Sequence, residues 1–169
     1  MSKLSREDFL HRLSEIKLLS LDTDGVLTDG GLYYTDSGEE LRKFNVKDGL
    51  GIRRVQAAGL TVAIITASAS PAIAFRARYL GVEHAYLETR DKLATLTELC
   101  DATGVGLDQV THMGDDLNDL PVFAEVGLAI AVADAMPDVL NAADQITDKM
   151  GGAGAVREIC DLLVKAHLH

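Results

Sequence analysis

Three observations predict an α/β fold, a doubly wound parallel sheet with helices on both faces. Short apolar runs bounded by polar turn residues, Leu18-Leu19-Ser20-Leu21, Thr61-Val62-Ala63-Ile64-Ile65 and Val110-Thr111-His112-Met113, have the pattern of strands buried on both faces. Segments with apolar residues at helical spacing stand between them, so strand and helix alternate along the chain. Two of the runs end directly in acidic clusters, Asp22-Thr23-Asp24-Gly25 and Gly114-Asp115-Asp116-Leu117-Asn118-Asp119. In an open sheet of this kind the carboxyl ends of the strands form the ligand crevice.

Taken in order, Ser5 with Asp8 three residues on has the form of a capping box, opening a short helix to about residue 13. The first strand is expected over residues 17–21. Two extended arms around Asp36-Ser37-Gly38, covering about residues 31–45, predict a β-hairpin where a lid over the first acidic cluster would sit. Leu50, Ile52, Val55 and Ala58 predict a helix over residues 48–58, ended by Gly59. The strand 61–65 stops at Thr66. Ser70-Pro71 starts a helix running to about residue 80, with Gly81 as its terminator. A short strand near residues 84–87 and a helix over about 91–103 lead to the strand 110–113. Residues 118–124 are expected helical, 127–132 a strand, and Met136-Pro137 the start of another short helix. A last short strand near Gln145-Ile146 and a helix over residues 155–166 finish the chain. Between them Gly151-Gly152-Ala153-Gly154 is expected to be the one flexible segment.

At 169 residues, 47% of them apolar and 25% charged, the chain is expected to form one soluble domain over residues 1–169. It has no Trp, so Leu, Ile, Val and Ala must build the core. A net charge of −10 argues against nucleic acid and anionic membranes as partners. An anionic substrate then needs a locally positive pocket. Cys100 and Cys160 fall in apolar helical patterns without metal-ligand spacing, which predicts buried free thiols and a reducing, cytoplasmic compartment. The first eight residues are polar and acidic without an apolar stretch, so no secretion signal is expected there.

The acidic clusters carry the chemistry. Several carboxylates at two neighbouring strand ends repel one another unless a cation neutralises them, which points to Mg2+. Asp22 and Asp24, two apart beyond a strand, suit a nucleophile towards phosphorus and a separate general acid/base. The same Asp-x-Asp-Gly also has the form of a pair of Asx turns, or of the start of a calcium loop whose later ligands are missing. Asp115 is the expected metal ligand of the second cluster, with Asp116 or Asp119 capping the following helix. Thr66 offers a hydroxyl and amides to a phosphate, and Lys92, opening a helix, offers positive charge. His84 and His112 are expected as core or strand-edge histidines, and His167 and His169 as terminal and mobile.

In their order, Asp-x-Asp, Thr, Lys, Gly-Asp-Asp, these elements resemble the four motifs of the haloacid dehalogenase-type phosphatases. The stretches 21–30, 44–49 and 114–122, with Val132-Ala133-Asp134-Ala135 and Gly154-Ala155-Val156-Arg157-Glu158, resemble more closely the 3-deoxy-D-manno-octulosonate 8-phosphate (KDO 8-phosphate) phosphatase family. The resemblance implies a capless haloacid dehalogenase-like subunit that acts in lipopolysaccharide biosynthesis as a homotetramer. Its hairpin and glycine-rich tail (about residues 150–169) would help close neighbouring sites. It implies Asp22 as nucleophile, Asp24 as general acid/base, and Mg2+ on Asp22, the Asp24 carbonyl and Asp115. It also implies Thr66 and Lys92 as phosphate contacts, and Arg76, with Asp116, facing the substrate.

One departure bears on the substrate. Where that family carries Thr-Gly-Arg, this chain has Thr66-Ala67-Ser68, and a serine cannot replace a guanidinium. The tail likewise lacks the basic residues that flank its glycines in the family. A KDO 8-phosphate-like sugar acid is the expected substrate, with a nonulosonate 9-phosphate or another sugar phosphate as the alternative. Two readings of other classes are a receiver-type phosphoacceptor, which disagrees in strand order and lacks the hairpin, and a weakly catalytic assembly partner, which the intact Asp22/Asp24 pair opposes.

Overall fold

Six of the expected strands pair side by side, all parallel, in a computed structural model that describes residues 4–168. They are β1 (Leu18–Leu21), β4 (Thr61–Ile65), β5 (His84–Tyr86), β6 (Val110–Gly114), β7 (Leu128–Ala131) and β8 (Gln145–Ile146). Their spatial order is β5-β4-β1-β6-β7-β8, so β1 is central and the chain winds outward from it twice. Residues of β1, β6 and β7 are buried throughout, as strands covered by helices on both faces must be. Between β1 and β4 lies a separate antiparallel ribbon, β2 (Tyr33–Tyr34) with β3 (Glu40–Leu41). This is the expected hairpin, and no cap domain is inserted among the described residues.

The helices follow their sequence signals with some shifts. Ser5 caps α1 (Arg6–Glu15) through a bond from the Asp8 amide. The second helix, α2 (Val46–Ala57), begins two residues before its first expected position, because the Asn45 side chain accepts from the Lys47 amide and serves as N-cap. That leaves Asp48 inside α2, buried, where its Oδ1 accepts from the Arg157 amide of α7 (Ala155–His167) at 2.8 Å. Next, α3 (Pro71–Leu80) ends at Gly81 with φ 71°, and α4 (Lys92–Thr103) starts behind Asp91, whose side chain accepts from Ala94. The segment expected as one helix over 118–124 divides into a 3-10 turn, Leu117–Asp119, and α5 (Leu120–Phe123). A last short helix, α6 (Pro137–Ala142), follows β7.

Cys100 and Cys160 are free and buried. Among the described residues no helix is long and apolar enough to cross a membrane. Two expectations of mobility are corrected. The ring of His167 donates to the Leu13 carbonyl at 3.2 Å; His169 lies outside the described residues. The glycine-rich segment is docked, with Gly151 and Gly152 both buried. The Gly152 amide donates to the Val26 carbonyl at 3.0 Å, and the Gly152 carbonyl accepts from Asn45 Nδ2 at 3.1 Å. A Cβ on either glycine would strike the backbone of residues 25–29, so their lack of a side chain is what allows this close approach.

Candidate active site

Register brings the predicted residues together. Leu21 pairs with Ile64 on β4 and with Met113 on β6, so the chain leaves all three strands at nearly the same height. Asp22 is the next residue of β1, its amide still bonded to the Met113 carbonyl; Thr66 is the next of β4, its amide bonded to the Tyr86 carbonyl. Asp115 follows β6 directly. These ends open into a cavity of about 480 Å³ lined by ten residues, including Asp22, Asp24, Thr66, Ser68, Asp115 and Asp116. Four of the ten are aspartates and none is Lys or Arg.

The floor is a buried ionic network. Lys92, at the first position of α4, is 3% exposed and points inward, its Nζ 2.8 Å from Asp22 Oδ2 and 2.6 Å from Asp119 Oδ1. Asp22 Oδ1 accepts from the Thr23 amide at 2.6 Å. Asp119 accepts on all sides: Oδ1 also meets His112 Nε2 at 3.1 Å, and Oδ2 takes the Asp115 amide at 3.0 Å and the Asp116 amide at 3.4 Å. His112 is fixed in turn by Ser20 Oγ, 2.9 Å from its Nδ1. Asp116 caps the 3-10 turn through the Leu117 amide, so of the two acids named as alternative caps both take part, in different ways. Asp119 pins the turn and Lys92 from below, while Asp116 stays exposed at the cavity.

Charge has visible consequences here. Burial, then Asp22, Asp119 and Asp116, push the Asp115 carboxyl up from 3.8 to about 8. Burial and Asp119 raise Asp22 to about 6 against the pull of Lys92 and the Thr23 amide. Burial would raise Asp119 too, but His112 and Lys92 overcome it and hold that group below the usual carboxylate range. Lys92 moves upward, because Asp22 and Asp119 outweigh its own burial.

Oxygens of Asp22, Asp115 and Asp119 come within 4.8 Å of one another. Asp119 is already saturated with donors, whereas Asp115 Oδ1 is buried without a hydrogen-bond partner. A buried anionic oxygen left bare is costly unless a cation meets it. The Asp24 carbonyl, two residues from Asp22, also accepts no hydrogen bond among the described residues. Hard oxygens in this number fit Mg2+, which takes few carboxylates and retains water. Gly25, at φ 84°, keeps the space open, since a Cβ there would run into the Asp115 carboxylate.

Around the rim, Thr66 Oγ1 accepts from the Ser68 amide at 3.2 Å, and no acceptor engages its O–H among the described residues. Asp24, its side chain 37% exposed, is held by Arg42, just beyond β3: Nε to Oδ1 at 2.7 Å and Nη2 to Oδ2 at 3.2 Å. Sequence reasoning did not single out Arg42. Arg76 does not line the cavity. Its Nη2 donates to the Asn45 carbonyl at 3.1 Å, and its guanidinium lies 5.6 Å from the centre of the Phe44 ring and 5.8 Å from that of Tyr79. Arg76 thus packs against the foot of the hairpin.

Residues 85–159 match the family model of the haloacid dehalogenase-like hydrolases. Over 160 residues, 95% of this chain and 86% of the relative, the chain is 46% identical to the 3-deoxy-D-manno-octulosonate 8-phosphate phosphatase of Yersinia pestis. It is 44% identical over 159 residues to the same-named protein of Escherichia coli K12, covering 94% of this chain and 85% of that one. A crystal structure of the Moraxella catarrhalis phosphatase of that name, in complex with magnesium, phosphate and KDO, superposes with a TM-score of 0.93. The two are 38% identical, over 96% of this chain and 93% of that one.

Proposed function

The chain belongs to the 3-deoxy-D-manno-octulosonate 8-phosphate phosphatase family of the haloacid dehalogenase-like hydrolases, and on that premise we propose that it hydrolyses the phosphate monoester of such a sugar acid with Mg2+ as cofactor. The observation that carries this is the bare, buried Asp115 oxygen beside the Asp22 carboxylate in a cavity without a lining cation. The magnesium, phosphate and KDO of the Moraxella relative support it.

Asp22, the Asp24 carbonyl and Asp115 are the ligands we assign to Mg2+, which supplies neutralisation of the clustered carboxylates and of the phosphoryl oxygens. A carboxylate oxygen of Asp22 bonds to phosphorus as the bond from phosphorus to the sugar oxygen breaks, leaving an aspartyl-phosphate. Asp24 gives a proton to the departing sugar oxygen. It then takes one from the water that attacks the aspartyl-phosphate, and phosphate leaves with Asp22 restored. Lys92 and the Thr66 hydroxyl hold phosphoryl oxygens, and Asp116 faces the sugar from the rim. Arg76, at the foot of the hairpin beside Phe44 and Asn45, is a further substrate contact in this reading.

The same reading takes residues 1–169 as one domain, working in the cytoplasm in lipopolysaccharide biosynthesis as a homotetramer. Free, buried cysteines suit a reducing compartment. Support for the tetramer comes from exposed apolar side chains on the hairpin, the start of α2 and α3, among them Tyr34, Leu41, Val46 and Phe75. Light scattering after gel filtration tests that part.

The deciding experiment is phosphate release with Mg2+ across a panel of sugar phosphates that includes KDO 8-phosphate and nonulosonate 9-phosphates, with Asp22→Asn as control. Selective turnover of KDO 8-phosphate, lost in the variant, is the expected result. Turnover of other phosphates alone would keep the mechanism and replace the substrate. Silence across the panel would reject the enzyme in favour of an assembly role.

A further inference from the structure

The floor of the cavity and its rim have different sources of positive charge. Among the described residues, two cations are bonded to side chains of the lining: Lys92, on Asp22, and Arg42, on Asp24 and Ser68. Lys92 belongs to the core. Arg42 comes from the ribbon β2–β3, whose strand residues are mostly exposed, yet its own side chain is only 5% exposed. Its Nη2 donates to Asp24 Oδ2 and, at 2.9 Å, to Ser68 Oγ, and its Nη1 donates to Glu40. Ser68 Oγ itself accepts from the Ser70 amide at 3.2 Å. One guanidinium therefore joins the hairpin, the Asp24 turn and the loop that follows β4.

Asp24 depends on this contact in a way that Asp22 does not. Asp22 is held by a backbone amide and by Lys92. The carboxylate of Asp24, more than a third exposed, accepts from no other group among the described residues. Without Arg42 its χ angles would be free, and a proton donor that samples several rotamers meets the leaving oxygen only part of the time. A planar fork that engages both carboxylate oxygens fixes distance and plane together, which an ammonium cannot do.

We infer that Arg42 is a positioning residue: by clamping Asp24 it aligns the general acid with the leaving oxygen, so that the hairpin takes part in the chemistry of its own subunit. The inference rests on the reading of Asp24 as general acid, and it goes beyond a hairpin that merely closes neighbouring sites. Ser68 belongs to the same device, since a short hydroxyl there accepts the guanidinium that reaches across from residue 42.

A leaving-group comparison tests it. p-Nitrophenyl phosphate releases a stable phenolate and gains little from an acid; an alkyl monoester needs its oxygen protonated. For wild type, Asp24→Asn, Arg42→Ala and Arg42→Lys, kcat/KM is measured with Mg2+ on p-nitrophenyl phosphate and on the alkyl monoester of the panel that wild type turns over fastest. Arg42→Ala is expected to lose about 10²-fold on the alkyl ester, the lower range of a general-acid contribution, and less than about 5-fold on the aryl ester. Arg42→Lys should recover part of the alkyl loss. Mg2+-dependent thermal stabilisation, measured in parallel, reports whether each variant retains its fold. Equal losses on both esters in Arg42→Ala, with a leaving-group split in Asp24→Asn, would overturn the clamp and leave the hairpin a shield. Absence of a split in Asp24→Asn would instead remove the acid role of Asp24, and the inference with it.

Discussion

The floor of the cavity and the hairpin above it meet around the same few carboxylates, but they are held by opposite means. The floor is rooted in the sheet: Asp22, Thr66 and Asp115 are the residues at which three paired, buried strands stop. Their positions follow from strand register, which burial on both faces fixes tightly, since a slip of one residue would turn apolar side chains the wrong way. The hairpin has strands of two residues each, mostly exposed, and is tied to the floor chiefly through Arg42. Hydrophobic burial thus places the groups of the floor, while polar contacts place the hairpin above them.

That contrast can be broken most severely at its centre. Asp22→Asn should reduce turnover at least about 10⁴-fold, the scale on which loss of a nucleophile acts, and should abolish labelling of the chain by a ³²P-phosphomonoester. Labelling that persisted would place the phosphoryl acceptor elsewhere. Lys92→Met should both silence the enzyme and destabilise it by about 3–5 kcal/mol, the usual effect of leaving buried partners uncompensated. Urea unfolding checks this, and a loss below about 1 kcal/mol would mean that the floor is wetter than its burial indicates.

A gentler probe separates the regions by pH. The Asp115 carboxyl sits at about 8 in the metal-free fold against 3.8 ordinarily, and Asp22 at about 6. Both folded values are raised, so folding takes up protons between about pH 4 and 8. The metal-free chain should therefore lose stability as pH rises through that window. Mg2+ needs the carboxylates, so its affinity should climb over the same range. At a hundredfold excess over Kd, binding adds about 2.7 kcal/mol, roughly 5–10 °C in Tm for a chain of this size. The thermal shift with Mg2+ should accordingly be larger at pH 8.5 than at pH 5.5. An equal shift at both would detach the metal from these two groups. Least of all, Tyr34→Ala on the hairpin, which removes an exposed bond to Glu40, should change stability by no more than about 0.5 kcal/mol in the same melts.

The sheet was legible because its signal is continuous apolar runs with turn residues at their ends. The site was legible because it lies where those runs stop, with Asp22, Asp24 and Asp115 adjoining runs already assigned. What escaped depends on contacts between distant segments. His112 has the look of a core histidine within its own strand, yet it stands opposite Ser20 on β1, and both are fully buried. Two polar residues at the same height in neighbouring apolar strands were the available sign of a buried network beneath the site. Arg42 gave no such sign, since a basic residue after Leu41 in a polar hairpin has the pattern of any surface strand. Gly151 and Gly152 read as loose because glycine signals freedom in an unfolded chain, whereas here it permits the closest approach of two backbones.

That approach has a consequence in time. The turn carrying Asp24 and Gly25 is made more than a hundred residues before the two glycines it rests against and the α7 residue that Asp48 caps. At about 5–20 residues per second, the first strand would wait on the order of ten seconds on the ribosome before the turn that follows it could acquire its backing. A nascent chain stalled before residue 151 would carry Asp22, Asp24 and Asp115 and still lack that cradle, so on the proposed function phosphatase activity should switch on abruptly once these glycines are made.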